Sequence, residues 1–133
     1  MFLPHKSDNG AVLPWEYMAA AAGTYQTGQL VNVNAAGELA AITADTVTAP
    51  RYLCMSAATV AAAEPLPVTR VNRSYIYETA LAADAPAAQV GGKLQIAAGG
   101  LLAKAGAGAF EIVSLDGTNE GDAVRGRWTK ADN

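Results

Sequence analysis

Histidine and cysteine, two residue types that carry much of enzyme chemistry, occur once each in 133 residues. His5 lies beside Lys6 near the N-terminus, outside the patterned region. A Ser or Cys nucleophile in that region therefore has no imidazole base, and a metal ion has no second imidazole. Hydrolase and zinc-enzyme readings fail on that count. Cys54 has no partner for an intrachain disulfide and sits in the apolar run RYLCMSA, which reads as a buried thiol acting as a small hydrophobe. Positive charge is scarce as well. Nine Lys and Arg against 12 Asp and Glu give a net charge of −3 and a pI near 5.0, with no electrostatic footprint for nucleic acid or an anionic membrane. No apolar run approaches the roughly 18 residues of a membrane span, and MFLPHKSDNG lacks the apolar stretch of a secretory signal. The expectation is a soluble product of the cytoplasm.

What is present points to one compact domain. A hydrophobic fraction of 51% with 16% charge excludes a disordered chain, but much of that fraction is alanine, so a thin core is expected. The stretch Leu66 to Leu81, LPVTRVNRSYIYETAL, is the longest run rich in Val, Ile, Thr and Tyr. It is broken by Asn72-Arg73-Ser74, and reads as two strands joined in a hairpin. Around it, Gln29 to Val33 and Glu38 to Ile42 form a hairpin pattern across Asn34 to Gly37. Arg51 to Ala57 alternates, with Leu53, Met55 and Ala57 on one face. Lys93 to Ile96 returns through Gly99-Gly100 to Leu101 to Lys104, and Phe110 to Leu115 and Ala123 to Thr129 close the series. Pro65 and Pro67 mark the start of a strand or a sheet edge. In the last strand Val124 and Trp128 share one face and Arg125 and Arg127 the other. Short strands at this spacing with Gly-rich turns specify an all-β fold, a small barrel or sandwich built from hairpins.

Ahead of the strands, residues 1–22 read as an N-terminal arm, extended at first and then a short helix over 14–22. Pro14 suits the first helical position, Glu16 the positive end, the alanines propagate it and Gly23 ends it. Residues 23–133 are then a single β-domain. Within it, Gly28-Gln29-Leu30 and Gly37-Glu38-Leu39-Ala40 match Gly92-Lys93-Leu94 and Gly100-Leu101-Leu102-Ala103, with Arg70-Val71 matching Arg127-Trp128. An internal duplication (28–71 and 92–128) is one reading of the match, and generic hairpin grammar is the other.

Other motifs carry no chemistry. Gly106-Ala107-Gly108 begins like a dinucleotide fingerprint but lacks the third glycine and leads into a strand. The turn Asp116 to Asp122 has a calcium-loop glycine, yet it has Thr118 and Arg127 where ligands belong, so a solvated turn is expected. Arg70, Arg73, Arg125 and Arg127 are read as a salt-bridged sheet face, since no aromatics alternate with them as a strand-binding platform requires. The sequon Asn72-Arg73-Ser74 has no secretory context. No cofactor or metal is expected. Trp15 and Tyr17, ahead of a stable body, are the aromatic anchors a structural binder needs. The alternative is a carbohydrate-binding module, with Trp15, Tyr52, Tyr75 or Tyr77 as exposed stacking platforms.

The order GAVLPWEYMAA, GTYQTGQLV, RYLCMS, PLPVTRVNRSYIYETAL, VGGKLQI, EIVSLDGTNEGDAVRGRW resembles the small head decoration proteins encoded beside the major capsid gene in tailed phages. The resemblance covers most of the chain. It is most specific at Trp15-Glu16-Tyr17, Pro67 to Thr79 and Gly121 to Trp128; the Ala-rich loops and the tail Thr129 to Asn133 depart from the pattern. It implies a β-rich cement that binds the major capsid protein on the head surface of the virion, as a homo-oligomer with a trimer the first candidate. It implies no enzyme activity and no nucleic-acid or membrane partner. The expected capsid contacts are Leu13, Pro14, Trp15, Tyr17 and Met18.

Overall fold

The computed structural model describes residues 1–8, 10 and 14–129. Its described strands, in chain order, are β1 (Leu3–Ser7), β2 (Glu16–Ala20), β3 (Gly23–Tyr25), β4 (Leu30–Val33), β5 (Leu39–Ala41), β6 (Tyr52–Cys54) and β7 (Ala58–Val60). They continue with β8 (Glu64–Arg70), β9 (Tyr75–Ala80), β10 (Lys93–Ile96), β11 (Ala103–Ala105), β12 (Phe110–Leu115) and β13 (Ala123–Trp128). The fold is all-β, with no helix among the described residues.

Five strands close a barrel in the order β2-β5-β4-β6-β8, and β3 and β7 pair beside it. Six more form a sheet in the order β1-β9-β13-β12-β10-β11. Placed side by side, the two sets have one topology. In each, a hairpin (β4–β5, β10–β11) is followed by a strand that returns to the hairpin's first member (β6, β12), then by a strand that pairs with the returning one (β8, β13). In each, that last strand pairs antiparallel with the strand opening the set (β2, β9). Closure is also alike. Ala20 of β2 bridges Leu39 of β5 in parallel, and Leu81, just after β9, bridges Ala103 of β11 in parallel. Ala21 N–H donates to Leu39 O and Ala82 N–H to Ala103 O, both at 2.8 Å, while Ala63 N–H reaches Ala20 O and Gly121 N–H reaches Leu81 O, both at 2.9 Å.

Register agrees strand by strand. Val31↔Ala41 corresponds to Leu94↔Ala105, Tyr52↔Arg70 to Phe110↔Trp128, and Glu16↔Val68 to Tyr77↔Gly126. Gly28, whose N–H reaches Cys54 O, therefore corresponds to Gly91, whose N–H reaches Ile112 O. The sequence match had paired Gly28 with Gly92 and Arg70 with Arg127. Each pairing is one residue off, in opposite directions: Gly91-Gly92 offers two glycines where the first set has one, and Arg70 matches Arg127 in type while it shares its register with Trp128.

Each set encloses a core. Val31, Leu39, Cys54, Leu66 and Val68 line the first barrel with Tyr25. In the second, Phe110 and Trp128 pack at 4.8 Å between ring centroids, with Phe2 at 5.6 and 5.9 Å from them, above Tyr77, Leu94, Ile112 and Val124. Leu30 and Leu53, on the outer face of the first barrel, belong to this second core, so the two barrels share it. At the junction Leu30 N–H donates to Gly100 O at 2.8 Å; a Cβ on Gly100 would lie 2.4 Å from Leu30 O, so only glycine fits. Val124 and Trp128 face inward and Arg125 and Arg127 are half-exposed, as alternation requires. Buried Trp128 Nε1 has no hydrogen-bond partner among the described residues, a cost of about 1–3 kcal/mol against the aromatic packing.

Three expectations change, and one holds. The helix over 14–22 is instead strand β2: a helix of two or three turns is marginal in water, whereas five backbone pairs with β8 fix an extended chain. The N-terminal arm 1–22 is not separate from the body. β1 pairs with β9 and Phe2 is fully buried, so the fold begins well before residue 23. Leu66 to Leu81 is not a hairpin, since β8 pairs with β2 and β6, and β9 with β1 and β13. Asn72 Oδ1 accepts bonds from Ser74 N and Oγ, and Asn72 N–H donates to Tyr77 OH, forming a turn that carries the chain from one barrel to the other. Pro65 and Pro67 lie in the entry half of β8, which is paired with β2 but not yet with β6, as expected. Pro67 sits past the last pair with β6, Cys54↔Val68, where a missing donor costs least.

Candidate functional site

The edge of β2 away from β8 is open ahead of the bridge to β5 at Ala20. Pro67 O accepts from Met55 N–H, on the β6 side. Backbone groups alternate sides along an antiparallel strand, so Leu66 and Val68 turn theirs toward β2 and bond with Met18 and Glu16. Pro14 keeps the same phase, its O accepting from Thr69 Oγ1 at 3.3 Å. The N–H and C=O groups of Trp15 and Tyr17 and the N–H of Ala19 therefore point away from β8, and no described strand pairs with them before the bridge at Ala20, which takes up the Ala19 carbonyl. Their side chains also face outward: Trp15 is 53% and Tyr17 70% exposed, whereas Met18 packs against the first core. Trp15 thus shares its face with Tyr17, not with Met18 as a helix would have it. Leu13 lies outside the described residues.

The corresponding edge of the second barrel is covered. Trp15 and Tyr17 correspond to Ile76 and Glu78 of β9, and there β1 adds a strand, pairing Leu3↔Glu78 and Lys6↔Ile76. At the first barrel an ion pair stands beside the open edge: Arg70 Nε is 2.8 Å from Glu16 Oε2 and the guanidinium lies 5.9 Å over the Tyr52 ring. The Glu16 hydrogen bond raises the pKa of Arg70. Sequence reasoning missed the open backbone of this edge, to which Ala19 adds its N–H. No signal in the sequence marks it, because unpaired backbone is a property of the sheet.

The remaining charged groups serve the scaffold. Arg125 bonds Glu78 at 2.9 Å and Asp116 at 3.1 Å, its pKa raised by Asp116 first. Arg127 meets Asp8 at 3.0 Å, and Arg73 donates to Thr129 O at 3.4 Å. Asp122 Oδ2 accepts from Asn119 N–H inside the turn Asp116 to Asp122. Lys104 lies 2.6 Å from Asp45, and its hydrogen bond lowers the Asp45 pKa. Burial pushes the Cys54 thiol up, and the thiol donates to Ser56 O. Among the described residues no three His, Cys, Asp or Glu side chains come together as a metal site. Of the aromatics named as a glycan platform, Tyr52, Tyr75 and Tyr77 are buried and Trp15 is exposed. Comparison with known proteins gives no match, whether among family models, curated sequences or solved structures.

Proposed function

We propose that the protein is a structural virion component that binds the outside of a phage capsid and stabilises it, as a non-enzymatic decoration or cement protein. The observation that supports this reading is the open β2 edge with Trp15 and Tyr17 exposed beside it, on a barrel whose counterpart has the same edge filled by β1. An edge of this kind takes an extended segment of a partner by strand addition. Backbone bonds from Trp15 and Tyr17 give affinity, and the two rings give an anchor. The resemblance to head decoration proteins names the partner as the major capsid protein, with several copies assembled on the head surface. Trp15, already half-exposed, contributes little to the fold. Trp15→Ala is expected to leave the melting temperature of the isolated protein nearly unchanged and to weaken binding to purified capsids by at least about 2 kcal/mol, the size of an interface hot spot. Binding is measured at low occupancy, because many copies on a lattice mask a weakened contact through avidity. Unchanged affinity there would remove this edge from the interface.

A further inference from the structure

The two barrels differ at the mouth reached by the loop after their opening strand. In the first barrel that loop carries β3, which pairs with β7 and sends Tyr25 into the core, its hydroxyl donating to Ala21 O at 2.7 Å and Leu39 O at 3.3 Å. In the second barrel the loop after Leu81 crosses the corresponding end, held by Ala85 N–H to Thr118 O at 2.8 Å, but its residues are Ala85, Pro86, Ala87 and Ala88. No ring enters. A pocket of about 400 Å³ opens between this loop, Leu94 of β10, Ile112 of β12 and the chain at Ala105 to Ala107.

We propose that this mouth is a binding site for one small neutral aromatic molecule of phenol to indole size, seated at the end of the second barrel that corresponds to the end Tyr25 enters in the first. The volume lies in the range of small-ligand pockets. The walls are alanine, proline, leucine and isoleucine, with Lys93 the one charged residue in the lining. Such walls reward desolvation of an apolar ring and leave the hydroxyls of a sugar or the charge of a phosphate unsatisfied. A tyrosine ring at the corresponding end of the first barrel is the precedent for an aromatic guest.

Indole is the probe, titrated into the full chain and followed by amide chemical shifts. Saturable one-to-one shifts are expected at Ala85, Ala87, Ala88, Gly92, Gly106 and Ala107, with β2 and β8 unmoved. Ala87→Tyr and Ala107→Leu fill the pocket from opposite walls, and each is expected to weaken indole binding at least tenfold while the remaining amide spectrum stays in place. The absence of saturable shifts in the wild-type protein up to the solubility of indole would overturn the site, whatever the variants do. So would undiminished binding in a folded filled variant. An equal response to cyclohexanol would overturn the aromatic assignment.

Discussion

Arg70 of β8 and Trp128 of β13 hold the same place in two barrels built to one register, and their surroundings have little in common. Arg70 reaches over the Tyr52 ring to Glu16, in solvent. Trp128 lies under Phe2 and against Phe110, with Tyr77 where the first barrel has Glu16. The difference follows from cover. Where β1 and Phe2 close over the end of the second barrel, large aromatics can be buried there; where nothing described covers the first, an ion pair is stable and a tryptophan would be exposed. The backbone register is common to both, and the presence or absence of one added strand decides which side chains fit.

Removing that strand tests the comparison most severely. Deletion of residues 1–8 takes away β1, the buried Phe2 and the Asp8–Arg127 pair, and exposes Trp128. The expected loss is at least about 4 kcal/mol in denaturant titration, in line with large aromatic deletions in cores. Hydrogen-exchange protection is expected to fall first in β9 and β13, with β2 and β8 retained. A truncated protein as stable as the full chain would mean that the second barrel does not depend on its cover.

Tyr77 provides a smaller contrast, because its counterpart Glu16 is not buried. Burial pushes the Tyr77 hydroxyl up to about 12 from an ordinary value of 10. The unfolded chain therefore ionises first as pH rises. The contribution of Tyr77 is complete below pH 10 and is lost between pH 10 and about 12, by about 2–3 kcal/mol. In Tyr77→Phe this alkaline slope is expected to shrink by that amount. An unchanged pH profile would show that the hydroxyl is accessible to water.

The smallest effect concerns a turn. Ala63, with φ 65°, stands where the second barrel has Gly121, with φ 86°, and each bonds back to its opening strand. A left-handed alanine costs more than the extra chain entropy of glycine, so Ala63→Gly is expected to stabilise by roughly 0.5 kcal/mol and Gly121→Ala to destabilise by about 1 kcal/mol. The same sign for both would mean that the two turns are not equivalent.

Local patterns made part of this legible in the sequence. The hairpins β4–β5 and β10–β11 declare themselves through Asn34, Gly37, Gly99 and Gly100, and the phase of β13 through alternation around Trp128. Pairing between distant strands left no such mark. β8 and β9 look like partners because three turn residues separate them, yet each has neighbours elsewhere. β2 looks helical because alanine propagates helices, and its partner β8 lies far along the chain. Of the expected contact residues, Trp15 and Tyr17 proved exposed on one face and Met18 inward, a split that depends on the strand's two-residue period.

The pairing of β1 has a consequence for the order of events during synthesis. Every strand of the first barrel has been synthesised once Arg70 is added, whereas β1, made before all of them, must wait for β9, and Asp8 for Arg127. The first strand made is thus among the last to be placed, and closing so long a loop is slow. In pulse-labelled refolding, β1 amides are expected to gain protection together with β13 and after β4 to β8. Simultaneous protection throughout would indicate one cooperative nucleus instead.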